Sequence, residues 1–119
     1  MNSVRHDGMS IPDKYKCRVC GLSQYPDLPW GDSGDEPSNN ICSCCGVEFG
    51  YSDETKYQCL YVRKHWIEME NCEWLMKSDR PDNWNMPDQL RSIPKEFLDS
   101  NDEALIRIYC ERNDFPYSL

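Results

Sequence analysis

From Glu54 to Met69 the chain contains no proline or glycine, and Tyr57, Leu60 or Tyr61, Lys64 and Ile67 recur every three to four residues with Trp66 beside them. At 3.6 residues per turn that spacing places them on one helix face, so the pattern predicts an amphipathic helix. Asp53 or Ser52 stands where a cap is needed, and Asn71 where the helix should end. Just upstream, Val47, Phe49 and Tyr51 alternate with Glu48 and Gly50. A period of two predicts a short strand with those three side chains on one face. Downstream, Trp74, Leu75 and Met76 form an apolar anchor before a polar turn centred on Arg80–Asn83. A second, short helix is expected from Pro87 to Ile93, with Asn85 or Met86 before it and Pro94 closing it. Ala104–Cys110 reads as a strand, with a helical turn as the alternative, because its two isoleucines and tyrosine favour strand.

The stretch from Leu22 to Ile41 has a different texture, with Pro26, Pro29, Gly31, Gly34 and Pro37 among Asp, Ser and Asn. Such a composition predicts a loop or irregular hairpin. It separates two matching motifs, Cys17–Gly21 and Cys42–Gly46, each of which holds two cysteines three positions apart followed directly by glycine. Four thiolates from two tight turns can surround one ion tetrahedrally, the arrangement zinc prefers, and leave no coordination position open for catalysis. Glycine after the second cysteine suits a position that needs positive φ or close backbone approach. The ligands expected are therefore Cys17, Cys20, Cys42 and Cys45. Cys44 is expected to be a turn residue pointing outward, since Cys42 and Cys45 keep the two-residue gap of the first pair. Cys59, Cys72 and Cys110 are expected to be small buried hydrophobes.

These motifs organise the chain as one compact domain: a flexible arm over 1–14, a metal-binding ribbon over 15–52, a helical extension over 53–98 packed on it, and a C-terminal segment over 99–119. The fold class expected is a small α+β metal-bound domain. At 119 residues and 14.0 kDa the core is modest, and a structural metal would staple it. Binding free energies of roughly 10–16 kcal/mol at structural zinc sites match or exceed the whole net stability of a small domain.

Twenty-one acidic residues against 13 basic ones give a formal charge of −8. That field repels phosphate backbones and anionic lipid, which disfavours nucleic acid; acidity of this kind is first a solubility feature, with an unknown and basic protein partner as the alternative. No window is apolar enough to span a membrane, and no signal-peptide pattern follows Met1, so eight cysteines point to a reducing cytoplasm rather than to a disulfide scaffold. Neither His6 nor His65 has an acid or base at a persuasive spacing. The carboxylates Glu68, Glu70, Glu73, Asp79, Asp82, Asp88, Asp99 and Asp102 read as solvated surface, so no enzyme is expected. Four tryptophans and seven tyrosines are a high aromatic load. Most should build the core, while Trp30, Tyr25 and Trp84 are candidates for an exposed partner surface.

Over residues 15–98 the chain resembles the small bacterial cysteine-rich CPCC proteins. The resemblance rests on Tyr15–Gly21, Ile41–Gly46, the following Val47–Tyr51, and Trp66-Ile67, Trp74 and Pro81–Trp84. Ser43 stands where that family carries proline, a change of turn rigidity that should spare ligation. The resemblance implies a zinc-ribbon, rubredoxin-like fold and a bacterial or phage origin, and brings no activity with it. Three functions compete: a zinc-stabilised protein-interaction module, a rubredoxin-like iron electron carrier using the same four sulfurs, and a nucleic-acid-binding zinc ribbon.

Overall fold

Thr55 starts the longest helix, α1 (Lys56–Glu70), and closes a capping box: its hydroxyl accepts from Gln58 N while the Gln58 side chain accepts from Thr55 N. The computed structural model describes residues 11–119, so the first ten positions of the expected arm, with His6, lie outside the described residues. Two shorter helices follow, α2 (Met86–Arg91) and α3 (Asp102–Arg112), with 3-10 turns at Asp13–Tyr15, Lys77–Asp79 and Lys95–Phe97. Asn85 caps α2 by accepting from Asp88 N, with Pro87 in the first turn where a missing N–H costs nothing. Asn71, at φ 49°, ends α1 in the left-handed conformation.

Where α1 faces differs from the periodic reading. Its buried residues are Cys59, Arg63, Trp66 and Ile67, while Tyr57 and Tyr61 are 78% and 69% exposed. A hydropathy pattern rejects arginine from a core face. Arg63 takes that position because all three of its guanidinium nitrogens donate inside the protein, to Asp102 and to the carbonyls of Arg18, Val19 and Phe97. The N-cap is Thr55, whereas Asp53 is buried and accepts from Trp30 Nε1 at 2.8 Å and from Gly50 N at 2.7 Å.

The expected C-terminal strand is also corrected, because Ala104–Cys110 lies within α3. Asp102, Leu105, Ile106, Tyr109 and Cys110 are its buried residues, a three-and-four spacing that overrides the β preference of isoleucine and tyrosine. Asp102 and Glu103 in the first turn and Arg112 in the last match the helix dipole. Residues 47–51 form no strand: Val47 and Phe49 are buried, Tyr51 is exposed, and pairing among the described residues is confined to the isolated antiparallel bridges Lys16–Ser23 and Ile41–Glu48. The expected ribbon sheet is thus reduced to two bridged turns, and the helices together with the segments that join them, such as those carrying Trp74 and Trp84, form the rest of the core.

α1 and α2 both pack against α3. Between them Trp84 meets Trp74 edge-on at 5.4 Å, Trp66 at 6.4 Å and Tyr109 at 6.1 Å. With Met86, Leu90 and Ile106 these rings form the helical side of one core that continues into the cysteines. Each such side chain contributes roughly 1.5–3 kcal/mol by leaving water.

Candidate metal centre

The two cysteine motifs fold into the same turn. Gly21 N donates to Cys17 O at 2.9 Å and Gly46 N to Cys42 O at 3.0 Å. Each turn is then closed by the first cysteine's own N–H, Cys17 to Leu22 O and Cys42 to Val47 O. Both glycines stand at positive φ, 86° and 84°, the conformation that lets the chain reverse straight after the second cysteine. Their surroundings differ. A Cβ on Gly21 would lie 2.2 Å from Gln89 O of α2, whereas on Gly46 the nearest atom would be a Leu75 side-chain carbon at 3.9 Å.

The turns bring the sulfurs of Cys17, Cys20, Cys42 and Cys45 within 4.8 Å of one another. The cross-turn pairs Cys17–Cys45 and Cys20–Cys42 are each separated by 3.7 Å. For a tetrahedral ion with bonds of 2.3 Å, sulfurs should be about 3.8 Å apart, so the cluster fits a four-thiolate metal ion. Cys17, Cys20 and Cys42 are buried and Cys45 is partly exposed. Burial pushes the thiols of Cys17, Cys20 and Cys45 well above their ordinary value, while hydrogen bonds from those three lower Cys42. A divalent cation removes that conflict, because coordination deprotonates thiols outright.

Helices and connecting segments hold this cluster from several sides. Gln24 Nε2 approaches Cys42 Sγ at 3.5 Å. Gln89 Nε2 donates to Cys20 O at 3.2 Å and to Cys44 Sγ at 3.4 Å, while its oxygen accepts from Trp84 Nε1 at 2.8 Å. Leu75 N and Met76 N donate to Cys44 O and Ser43 O, tying the segment after α1 to the second turn. Within the first turn, the carbonyls of Arg18 and Val19 accept from the Arg63 guanidinium at 2.8 and 2.7 Å. Polar residues beyond the cysteines thus position the site, and a search of the sequence for ligands passes over Gln24, Arg63 and Gln89. The only sequence trace of Arg63 is its place four residues after Cys59 and three before Trp66 on the same helix face.

Two expectations change here. Cys44 does not point outward but is fully buried under Gln89. Trp30 and Trp84 are 9% and 8% exposed, so they do not form a surface with the exposed Tyr25. Trp30 is held by Asp53 and covered by the Arg18 guanidinium 4.0 Å above its ring. Cys59, Cys72 and Cys110 are buried thiols as expected, and burial lifts Cys59 to about 12 and Cys72 well above its ordinary value. His65 stays on the surface, 3.3 Å from Glu70. Lys14, Lys16 and Arg18 line one cleft, but Asp13, Asp32, Asp35 and Glu96 line it too, so folding gathers no basic patch there. Among the described residues no helix is long and apolar enough to cross a membrane.

In an alignment 97 positions long that covers 69% of this chain and 74% of the relative, the chain is 27% identical to the uncharacterised protein YozI of Bacillus subtilis strain 168. It is also 28% identical over 68 residues to the uncharacterised protein YoaQ of the same strain, an alignment covering 45% of this chain and 58% of that protein. No family model and no solved structure matches the chain.

Proposed function

We propose that the protein is a zinc-stabilised protein-interaction module, in which one structural ion on Cys17, Cys20, Cys42 and Cys45 fixes two turns beneath a helical layer that presents a binding surface. The observation that carries this reading is the closed four-sulfur cluster, with its cross-turn pairs at 3.7 Å. Four protein donors complete a tetrahedron, so the ion would add stability rather than a substrate position. The two bridged turns support a relationship to the CPCC proteins, reduced to the metal-binding turns of a zinc ribbon with helices in place of its sheet. None of the eight cysteines is joined in a disulfide, in keeping with work in a reducing cytoplasm. The net charge of −8 and the acid-balanced cleft around Arg18 favour a basic protein partner over nucleic acid.

A second reading, a rubredoxin-like iron electron carrier, is favoured by one observation. Cys45 is partly exposed, which would give electrons a short path from the cluster to the surface. Native mass spectrometry with elemental analysis and a visible spectrum separates the two on protein purified without added metal. One zinc per chain and no colour is the expected outcome. One iron with a red colour that bleaches on reduction would overturn the module reading.

A further inference from the structure

α1 and α3 leave an open groove of about 450 Å³ between them on the solvent side. Tyr57, Leu60, Tyr61 and Glu68 line it from α1, and Leu105 and Ile108 from α3. The α1 positions recur at three, one and seven residues, a continuous helical stripe that shares Tyr57, Leu60 and Tyr61 with the periodic pattern, whose Trp66 and Ile67 are buried. From Tyr57 to Glu68 it runs about 17 Å, three turns of helix. Nothing among the described residues covers it, and Tyr57 and Tyr61 stand 78% and 69% exposed along its edge. Such amphipathic, two-torsion side chains contribute large contact area at low entropic cost.

Charge narrows the occupant. Glu68, Asp99 and Asp102 line the groove against the single cation Lys64. Lys64 is paired with Glu68 at 3.1 Å and Asp102 with the buried Arg63 at 2.8 Å. Asp99, at the end near Asn101, has no cationic partner among the described residues. A second copy of a chain carrying −8 would bring like charge to the same place, whereas a basic segment would meet a complementary field.

We propose that the α1–α3 groove docks an amphipathic helix of a basic protein partner, apolar at positions i, i+4 and i+7, with a lysine or arginine reaching Asp99. This rests on the interaction-module reading and names its surface. The geometry is that of a helix laid in a groove, with the apolar stripe supplying affinity and the charge supplying orientation and on-rate.

The test uses metal-loaded full-length protein and two fluorescein-labelled synthetic three-turn helical peptides with leucine at i, i+4 and i+7, one flanked by lysines and the other by glutamates. Anisotropy should show saturable binding of the lysine peptide at least about tenfold tighter than the glutamate peptide, weakening as salt rises. Amide shifts should fall on α1 and α3. Tyr61→Ala changes an exposed ring and Asp99→Asn a half-buried carboxylate whose replacement can still accept from Asn101 N, and each should weaken binding several-fold while metal content and circular dichroism stay as in the parent. Equal binding of the two peptides, no saturable binding, shifts lying elsewhere, or a dimer lost in Tyr61→Ala would each overturn the assignment. A colourless one-zinc protein whose groove ignores both peptides removes the groove and leaves the module reading standing. A red, reducible iron protein removes the module reading whatever the peptides do.

Discussion

The Arg63 guanidinium and the Asp102 carboxylate meet at 2.8 Å where α1, α3 and the first cysteine turn converge, with side chains 0% and 6% exposed. Arg63 also donates to the carbonyls of Arg18, Val19 and Phe97, and Asp102 accepts from Asp99 N at 2.7 Å. Taking two charges out of water costs several kcal/mol, and the offset here is the pair itself together with four further hydrogen bonds. One side chain thereby joins the first cysteine turn to the helical layer.

Replacing Arg63 by methionine should accordingly cost roughly 3–5 kcal/mol in urea unfolding of the metal-loaded protein, because it strands a buried carboxylate and three carbonyls. Asp102→Asn should cost less, since its amide oxygen can still accept from Asp99 N. A loss below about 1 kcal/mol in Arg63→Met would show that packing, not this network, joins the two parts.

Gly21 and Gly46 share a conformation but not a neighbourhood, so the same substitution should separate them. Gly46→Ala meets only an ordinary contact with the Leu75 side chain at 3.9 Å, and its expected cost is the backbone term alone, about 1–2 kcal/mol. Gly21→Ala would drive a methyl group into Gln89 O at 2.2 Å and should displace α2, with a clearly larger fall in Tm and in metal affinity. Equal losses in thermal scans of the two variants would contradict the close approach of α2 to the first turn.

Among the cysteines the contrast lies in metal content. Cys17→Ser should abolish binding of the ion and, with it, cooperative unfolding, since ligation and folding are coupled at such a site. Cys44→Ser should retain one ion per chain and shift stability by only roughly 1 kcal/mol, its hydroxyl accepting from Gln89 in place of sulfur. Metal loss in both variants, read by elemental analysis, would reassign the ligands.

Alkaline pH tests the buried thiols. Burial lifts Cys59 to about 12 and raises Cys72, so folding holds their protons more tightly than the unfolded chain does at its ordinary value near 9. The stability they contribute is complete below pH 9 and is lost as pH climbs toward 12. Urea midpoints should fall over that range, and Cys59→Ala with Cys72→Ala should flatten the fall. Below pH 9 both thiols should resist Ellman's reagent until denaturant is added.

The sequence by itself determined what the chain's own covalent reach controls. Two cysteines three positions apart with a following glycine make one kind of turn, and two such turns hold four sulfurs within reach of one ion. A long run without proline or glycine, ended at Asn71, makes a helix, and Asn85 with Pro87 starts another. Only the tertiary structure decided which sides of these elements are wet. Arg63 is inside because carbonyls and Asp102 from distant segments satisfy it, and Tyr57 and Tyr61 are outside because that core position is taken. Cys44 and Trp84 are buried because α2 arrives with Gln89 between them. Residues 104–110 are helical because Leu105, Ile106, Tyr109 and Cys110 have a core to face on one side only. Periodicity and propensity report local preference, whereas burial depends on partners supplied by residues dozens of positions away.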